Sequence, residues 1–331
     1  MELRLFSAAE VVEALPMAEA IEGMKAAYAL LSAGQAQAPL RTHLAISGQD
    51  ATLIMPVYMP GAAAGEAGAL GLKVVSVFNS NPPRGLPLIH ALVLALDSDT
   101  GEPRAIIHGG ALTAIRTGAA SGAATDLLAR PDASVVAIFG SGIQARTQLE
   151  AVCTVRRVER VLVYSLMGAE QFAAEMAGRG PVPNAIEIVG TPAAAVREAD
   201  IICTATTARA PVFDGHDLRP GTHINAIGAF TPEMQEIDIE TVRRSLVVVD
   251  SREAALAEAG DLIIPLRAGL ISLDHIHAEL GEIVAGKRAG RTSPEQITFF
   301  KSVGVAVQDG MAAQIILRNG LARGLGSLVT L

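Results

Sequence analysis

The chain has no tryptophan, and aromatic residues occupy only 3% of its 331 positions. Any core must therefore be filled by aliphatic side chains and alanine, and half of the sequence is hydrophobic. A mixture dominated by Ala, Gly, Val, Ile and Leu suits a parallel sheet covered by helices. Cysteine is nearly missing: Cys153 and Cys203 stand far apart and form no C-x-x-C. That excludes a disulfide framework and a thiolate metal site, so no metal is expected. Charged residues make up 18% and sum to −8, which offers no basic surface to nucleic acid or anionic membrane. No uncharged run reaches the roughly 18 residues of a membrane span. Glu2, Arg4 and Glu10 stand where a leader peptide would be apolar, and a cytoplasmic protein is expected.

What is present is strongly punctuated. Ser7-Ala-Ala-Glu10 has the form of a capping box opening a helix. Pro16 starts a second helix, with Met17, Ile21, Met24, Tyr28 and Leu31 on one face and Gly34 closing it. Extended segments are expected at 41–47, 51–58, 69–78 and 88–97, then a helix of small residues over 111–129. From 134 onward, strands at 134–139, 160–165, 185–189, 200–205, 222–227, 246–250 and 297–300 alternate with helices. That alternation predicts a doubly wound parallel sheet. A last helix over 303–319 should return to the small first domain. The expected fold class is α/β: a Rossmann domain of residues 118–304, and a discontinuous α+β domain of 1–117 with 305–331.

The strand Val135-Val-Ala-Ile-Phe139 runs into Gly140-Ser141-Gly142-Ile143-Gln144-Ala145, a G-x-G-x-x-A dinucleotide fingerprint. Gly140 permits a tight turn, Gly142 lets backbone approach a pyrophosphate, and Ala145 keeps the following helix near the strand. The helix N-terminus then faces the anion. An NAD site usually ends its second strand in Asp or Glu, about 20 residues further on. Here Val161-Leu-Val-Tyr-Ser165-Leu166 supplies neither an acid nor an arginine. Ser165 suits either NAD(H) or NADP(H), and the choice stays open.

Two cations stand in apolar surroundings. Lys73 lies in a strand apolar on both faces, with Val75 and Val77 on its own side. It either reaches water from an edge strand or meets an anion. Arg116 is the only Lys, Arg, Asp or Glu between Arg104 and Asp126. A guanidinium there wants a carboxylate, from a ligand or from a nearby Asp. Arg41, opening Arg-Thr-His-Leu-Ala-Ile, suits a solvated strand end when taken alone. Two lookalikes carry less. Gly281–Lys287 matches G-x-x-x-x-G-K, but Arg288 replaces the Mg²⁺-binding Ser or Thr, and a helix is expected before it. His275 and His277 are expected on a helix, pointing to different faces.

Together these segments resemble the ornithine cyclodeaminase and mu-crystallin family over nearly the whole chain. The matching motifs are Arg41-Thr-His, Gly71-Leu-Lys73, Leu112-Thr-Ala-Ile-Arg116-Thr-Gly, Gly140-Ser-Gly-Ile-Gln144-Ala, Asn225-Ala-Ile-Gly228 and Phe300-Lys-Ser-Val-Gly304. The resemblance implies a homodimer whose first domain binds substrate and builds the dimer interface. It implies that Arg41, Lys73 and Arg116 hold the substrate carboxylate and neighbouring nitrogen centre. Cofactor contacts would come from Gly140, Ser141, Gly142, Ile143, Gln144, Ser165, Thr204 and Gly228, with Ser302, Val303 and Gly304 near the nicotinamide. Cyclodeaminases of the family carry an Asp two residues after the glycine matching Gly228, where this chain has Phe230. A phenyl ring accepts no proton, which disfavours ornithine deamination. The pattern Gly228-Ala-Phe-Thr-Pro-Glu-Met is similar to the family's ketimine reductases, notably those acting on Δ1-pyrroline-2-carboxylate. Phe230 would then pack against the substrate ring. The alternatives are an alanine dehydrogenase or iminosuccinate reductase, ornithine cyclodeaminase itself, and a non-catalytic mu-crystallin-like binder.

Overall fold

A computed structural model describes residues 2–48, 50–61 and 68–331. The chain divides into one unit of residues 1–116 with 305–331 and a second of residues 117–304. The first unit supplies strands β1 (Glu2–Phe6), β2 (Thr42–Ser47), β3 (Asp50–Met59), β4 (Ala69–Val77), β5 (Ile89–Leu96) and β6 (Pro103–His108). The second supplies β7 (Val135–Phe139), β8 (Arg160–Tyr164), β9 (Ile186–Ile188) and β10 (Ile201–Thr204). It continues with β11 (His223–Ala226), β12 (Ser245–Val249), β13 (Ile276–Glu279) and β14 (Ile297–Lys301). The C-terminal β15 (Ser327–Thr330) returns to the first unit.

The first sheet has the order β15-β1-β6-β5-β4-β3-β2. Its pairs are antiparallel except β1 with β6. Alternation along β3 turns Leu53, Met55, Val57 and Met59 inward. Against that face lies the helix Ala306–Arg323, which also packs on the helices Ala8–Ala14 and Met17–Ser32. Ile21, Met24 and Tyr28 of the second helix are fully buried, each contributing about 1.5–3 kcal/mol of hydrophobic stabilisation. A Cβ on Gly310 would sit 2.9 Å from Val57. Only glycine lets this helix lie so close to β3. The outer face is different, with Leu44, Ile46, Val74 and Leu92 left exposed.

The second unit holds an eight-stranded sheet in the order β13-β12-β14-β11-β10-β7-β8-β9, with every pair parallel. From β7 the chain builds outward through β8 and β9, then crosses back to β10 on the other side. Such a reversal opens a crevice at the carboxyl ends of β7 and β10, where doubly wound folds take ligands.

Several sequence expectations need correction. Strands β1, β6, β13 and β15 were not foreseen. His275 and His277 lie on a 3-10 turn and on β13, not on a helix, and each ring nitrogen meets a backbone carbonyl, Val242 O and Ala289 O. The segment before Gly281 is that same strand, and Gly281 itself lies inside the helix Leu280–Val284. The C-terminal helix runs past Asn319-Gly320 to Arg323, where left-handed Gly324 caps it. Gly320 lies against the Phe6 ring instead of ending the helix. Among the described residues no helix is long and apolar enough to cross a membrane.

Candidate active site

β4 is an interior strand, so Lys73 cannot escape to water along an edge. It points inward with Gly71 and Val75, between Met55 of β3 and Val93 of β5. Its Nζ meets Asp309 Oδ2 at 2.7 Å, and the two side chains are 2% and 1% exposed. Asp309 sits in the first turn of the helix Ala306–Arg323, where the helix dipole favours a carboxylate. Its other oxygen, Oδ1, accepts from Arg116 Nε at 3.1 Å. Arg116 Nη1 donates to Gln308 Oε1 at 2.6 Å, and Gln308 Nε2 donates to the Tyr28 hydroxyl at 2.8 Å. The pairing of Arg116 with an Asp of the chain, one of two sequence alternatives, is therefore present.

That pairing does not balance the charge. Thr42 pairs with Ile54, which brings Arg41 level with Met55, the strand partner of Lys73. Two buried cations, Lys73 and Arg116, thus share the Asp309 carboxylate, and the Arg41 charge is felt at Lys73 as well. Burial pushes the Lys73 ammonium pKa down to about 7, and the Arg116 charge pushes the same way. Asp309 opposes them, and Arg41 adds a smaller lowering. A buried positive excess is costly and is relieved by an incoming anion.

In the second unit the fingerprint lies at the reversal point of the sheet. Gly140 has φ 103°, and a Cβ there would meet Ala205 O at 2.6 Å. Gly142 caps the helix Ile143–Val155, and a Cβ on it would meet nothing within 4 Å. The cradle a phosphate needs is open at that point. Gln144 Oε1 is buried without a hydrogen-bond partner, and Ile143 is exposed. Ser165 Oγ donates to Met167 O at 2.8 Å and lies 3.1 Å from Ser141 Oγ, which donates to the same carbonyl at 2.6 Å, so both hydroxyls lie beside the turn. These features fit a dinucleotide.

Other expected cofactor contacts are committed inside the protein. Thr204 is fully buried and gives its hydroxyl to Glu236 Oε2 at 2.9 Å, so its side chain cannot serve a ligand. The Gly228 amide donates to the same oxygen at 2.7 Å. Ser302 Oγ and the amides of Val303 and Gly304 all donate to Asp250 Oδ2, at 2.8, 2.9 and 2.8 Å. Phe230 follows β11, half-buried, two residues beyond Gly228.

Glu236, Asp250, Asp261, Lys301, Gln308 and Asp309 escaped the sequence reading. A signal was there for Asp309, the only acid in the helix Ala306–Arg323, as Arg116 is the only charge in its stretch. Lys301 closes the apolar strand Ile-Thr-Phe-Phe as Lys73 interrupts another.

The family model for ornithine cyclodeaminase/mu-crystallin matches residues 1–323. The chain belongs to this family. It is 41% identical to a Δ1-pyrroline-2-carboxylate reductase of Bacillus cereus over 98% of this chain and 99% of that one. Its fold is similar to that of Thermococcus litoralis Δ1-pyrroline-2-carboxylate reductase, solved with NADH and L-proline. There the TM-score is 0.92 and the identity 43%, covering 98% of this chain and 99% of the other. An archaeal alanine dehydrogenase dimer with bound NAD is also similar. Its TM-score is 0.91 and its identity 34%, over 100% of this chain and 99% of that one. The span matched to the ornithine cyclodeaminase/mu-crystallin family includes both the cation cluster and the glycine turn.

Proposed function

We propose that the protein reduces Δ1-pyrroline-2-carboxylate to L-proline, using NADH or NADPH. The observation that carries this reading is the buried excess of positive charge around Lys73, Arg116 and Asp309. A small planar imine next to a carboxylate answers it, because the carboxylate supplies the missing negative charge. Arg116 and Arg41 orient that carboxylate and turn encounter into a reactive geometry. Lys73 lies by the carboxylate and the C=N, where it fixes the ring or relays a proton to nitrogen. Phe230 offers the ring an apolar surface and no proton acceptor. Gly140, Ser141, Gly142, Ile143, Gln144 and Ser165 would hold the dinucleotide, with Gly228 and the 302–304 turn supporting it. The cofactor supplies a hydride to the imine carbon. Support comes also from the names and similarity of the Bacillus cereus and Thermococcus litoralis enzymes.

The test is a substrate panel that follows loss of NADH and NADPH absorbance separately. Pyrroline and piperideine carboxylates, pyruvate with ammonia, and iminosuccinate are each offered to the protein. The cyclic imines are expected to turn over fastest. Greater activity on the open-chain acids would move the assignment to an alanine dehydrogenase or iminosuccinate reductase.

The reading extends to a cytoplasmic homodimer. Cys153 and Cys203 are buried and unbridged, as suits a reducing compartment. Across the outer face of the first sheet, Ile54, Val74 and Leu92 form one cross-strand row, flanked by Leu72 and Leu94. A second copy of the chain covers this apolar face in the proposed dimer. A monomeric mass by sedimentation equilibrium would remove that part of the proposal.

A further inference from the structure

Asp309 touches both buried cations, one oxygen to each, and no aspartate at this place was expected from the sequence. We propose that Asp309 is a positioning residue that keeps Lys73 in its ammonium form and fixes Lys73 and Arg116 as a preset grip for the substrate anion. The inference rests on the reading of the activity given above.

Geometry comes first. The carboxylate bridges two elements distant in sequence, β4 and the helix Gly109–Leu128, at 2.7 and 3.1 Å. Its helix is held in register by Gln308, whose Oε1 accepts from Val305 N at 2.9 Å and from Arg116. Tyr28, from a third helix, secures the other end of that amide. Asp309 therefore has little freedom to follow either cation, and each cation is set by it.

Electrostatics comes second. The charged groups that act on Lys73 come from three directions: Asp309 from the C-terminal helix, Arg116 from the helix Gly109–Leu128, and Arg41 ahead of β2. Its strand partners Met55 and Val93 carry no charge. Of these groups Asp309 alone favours the ammonium form, against burial and two arginines. Without it, Lys73 would lose its proton at a lower pH and the grip would lose one of its charges.

The experiment measures kcat/KM for Δ1-pyrroline-2-carboxylate against pH in wild type, Asp309→Asn and Gln308→Glu. Titration of the imine itself is common to all three and cancels in the comparison. In wild type the alkaline limb reports loss of the Lys73 proton. Asp309→Asn is expected to move that limb to lower pH by about 1–3 units, the effect of removing an adjacent opposite charge. Gln308→Glu adds a carboxylate beside Arg116 and is expected to move the limb upward. A second readout needs no turnover: proton uptake on binding pyrrole-2-carboxylate, by calorimetry in buffers of different ionisation enthalpy. Its pH dependence should move with the limb. If Asp309→Asn does not fold, an unmoved limb and unmoved proton uptake in Gln308→Glu overturn the proposal. If Asp309→Asn folds, slow turnover with an unshifted limb does the same. A wild type that oxidises neither NADH nor NADPH with this imine overturns the activity instead, which keeps the two failures apart.

Discussion

Two buried lysines make nearly identical contacts, Lys73 with Asp309 at 2.7 Å and Lys301 with Asp261 at 2.8 Å. Their surroundings have opposite sign. Around Lys73 the further charges are the arginines 116 and 41. Around Lys301 the further charge is Glu236, itself fully buried, so acids outnumber cations there. Glu236 accepts from Thr204, from the Thr206 amide and hydroxyl, and from the Gly228 and Ala229 amides. Asp261 accepts the amides of Glu236 and Ile237. Those carboxylates tie together the ends of β10 and β11 and find their donors inside the protein. The cluster around Lys73 keeps positive charge that the protein leaves unbalanced. A buried ion pair by itself does not mark a ligand site; the sign and size of the imbalance around it do.

The comparison can be broken by removing each lysine in turn. Lys301→Met strands Asp261 beside Glu236 with no cation, and a loss of about 3–5 kcal/mol in urea unfolding is expected. Lys73→Met leaves Asp309 still paired with Arg116 and relieves a repulsion between cations. Its stability loss should stay below about 2 kcal/mol. Its kcat/KM for the imine should instead fall about 100- to 1,000-fold, while binding of the reduced dinucleotide, followed by the change in the nicotinamide's own fluorescence, persists. Equal stability losses in the two variants would show that the surroundings do not distinguish these pairs.

How far the sequence carried this far depended on the range of the contacts involved. The glycine turn was legible because Gly140 and the strand before it speak through local geometry: a positive φ and an apolar run of five residues. Lys73 and Arg116 were legible as anomalies, charges where the pattern wants none. Their shared partner was not, because Asp309 lies 193 residues from Arg116 and only the fold brings them together. Strands β1 and β15 escaped for the same reason, since each is completed by a partner from the far end of the chain. That the Thr204 and Ser302 hydroxyls are committed inside the protein was not legible, because a hydroxyl at a strand end looks alike whether it faces open space or a buried acid. Glu236 and Asp250 decide that, and they come from other segments.

The smallest expected effect belongs to Arg41, whose charge acts least on Lys73. It acts on Lys73 through its charge, and that is the least of the influences on the lysine. Arg41 is only half-buried, so solvent screens it more than Arg116. Arg41→Met should raise KM for the imine about two- to fivefold, the cost of one screened carboxylate contact, with kcat nearly unchanged. The pH profile adds a sign. Arg41 helps hold the Lys73 ammonium pKa down near about 7, so its removal lets that value rise. The alkaline limb of kcat/KM should then move to higher pH, by less than about one unit, opposite to the movement expected for Asp309→Asn. A limb that moves the same way in both variants would mean that the two residues do not act on Lys73 through charge.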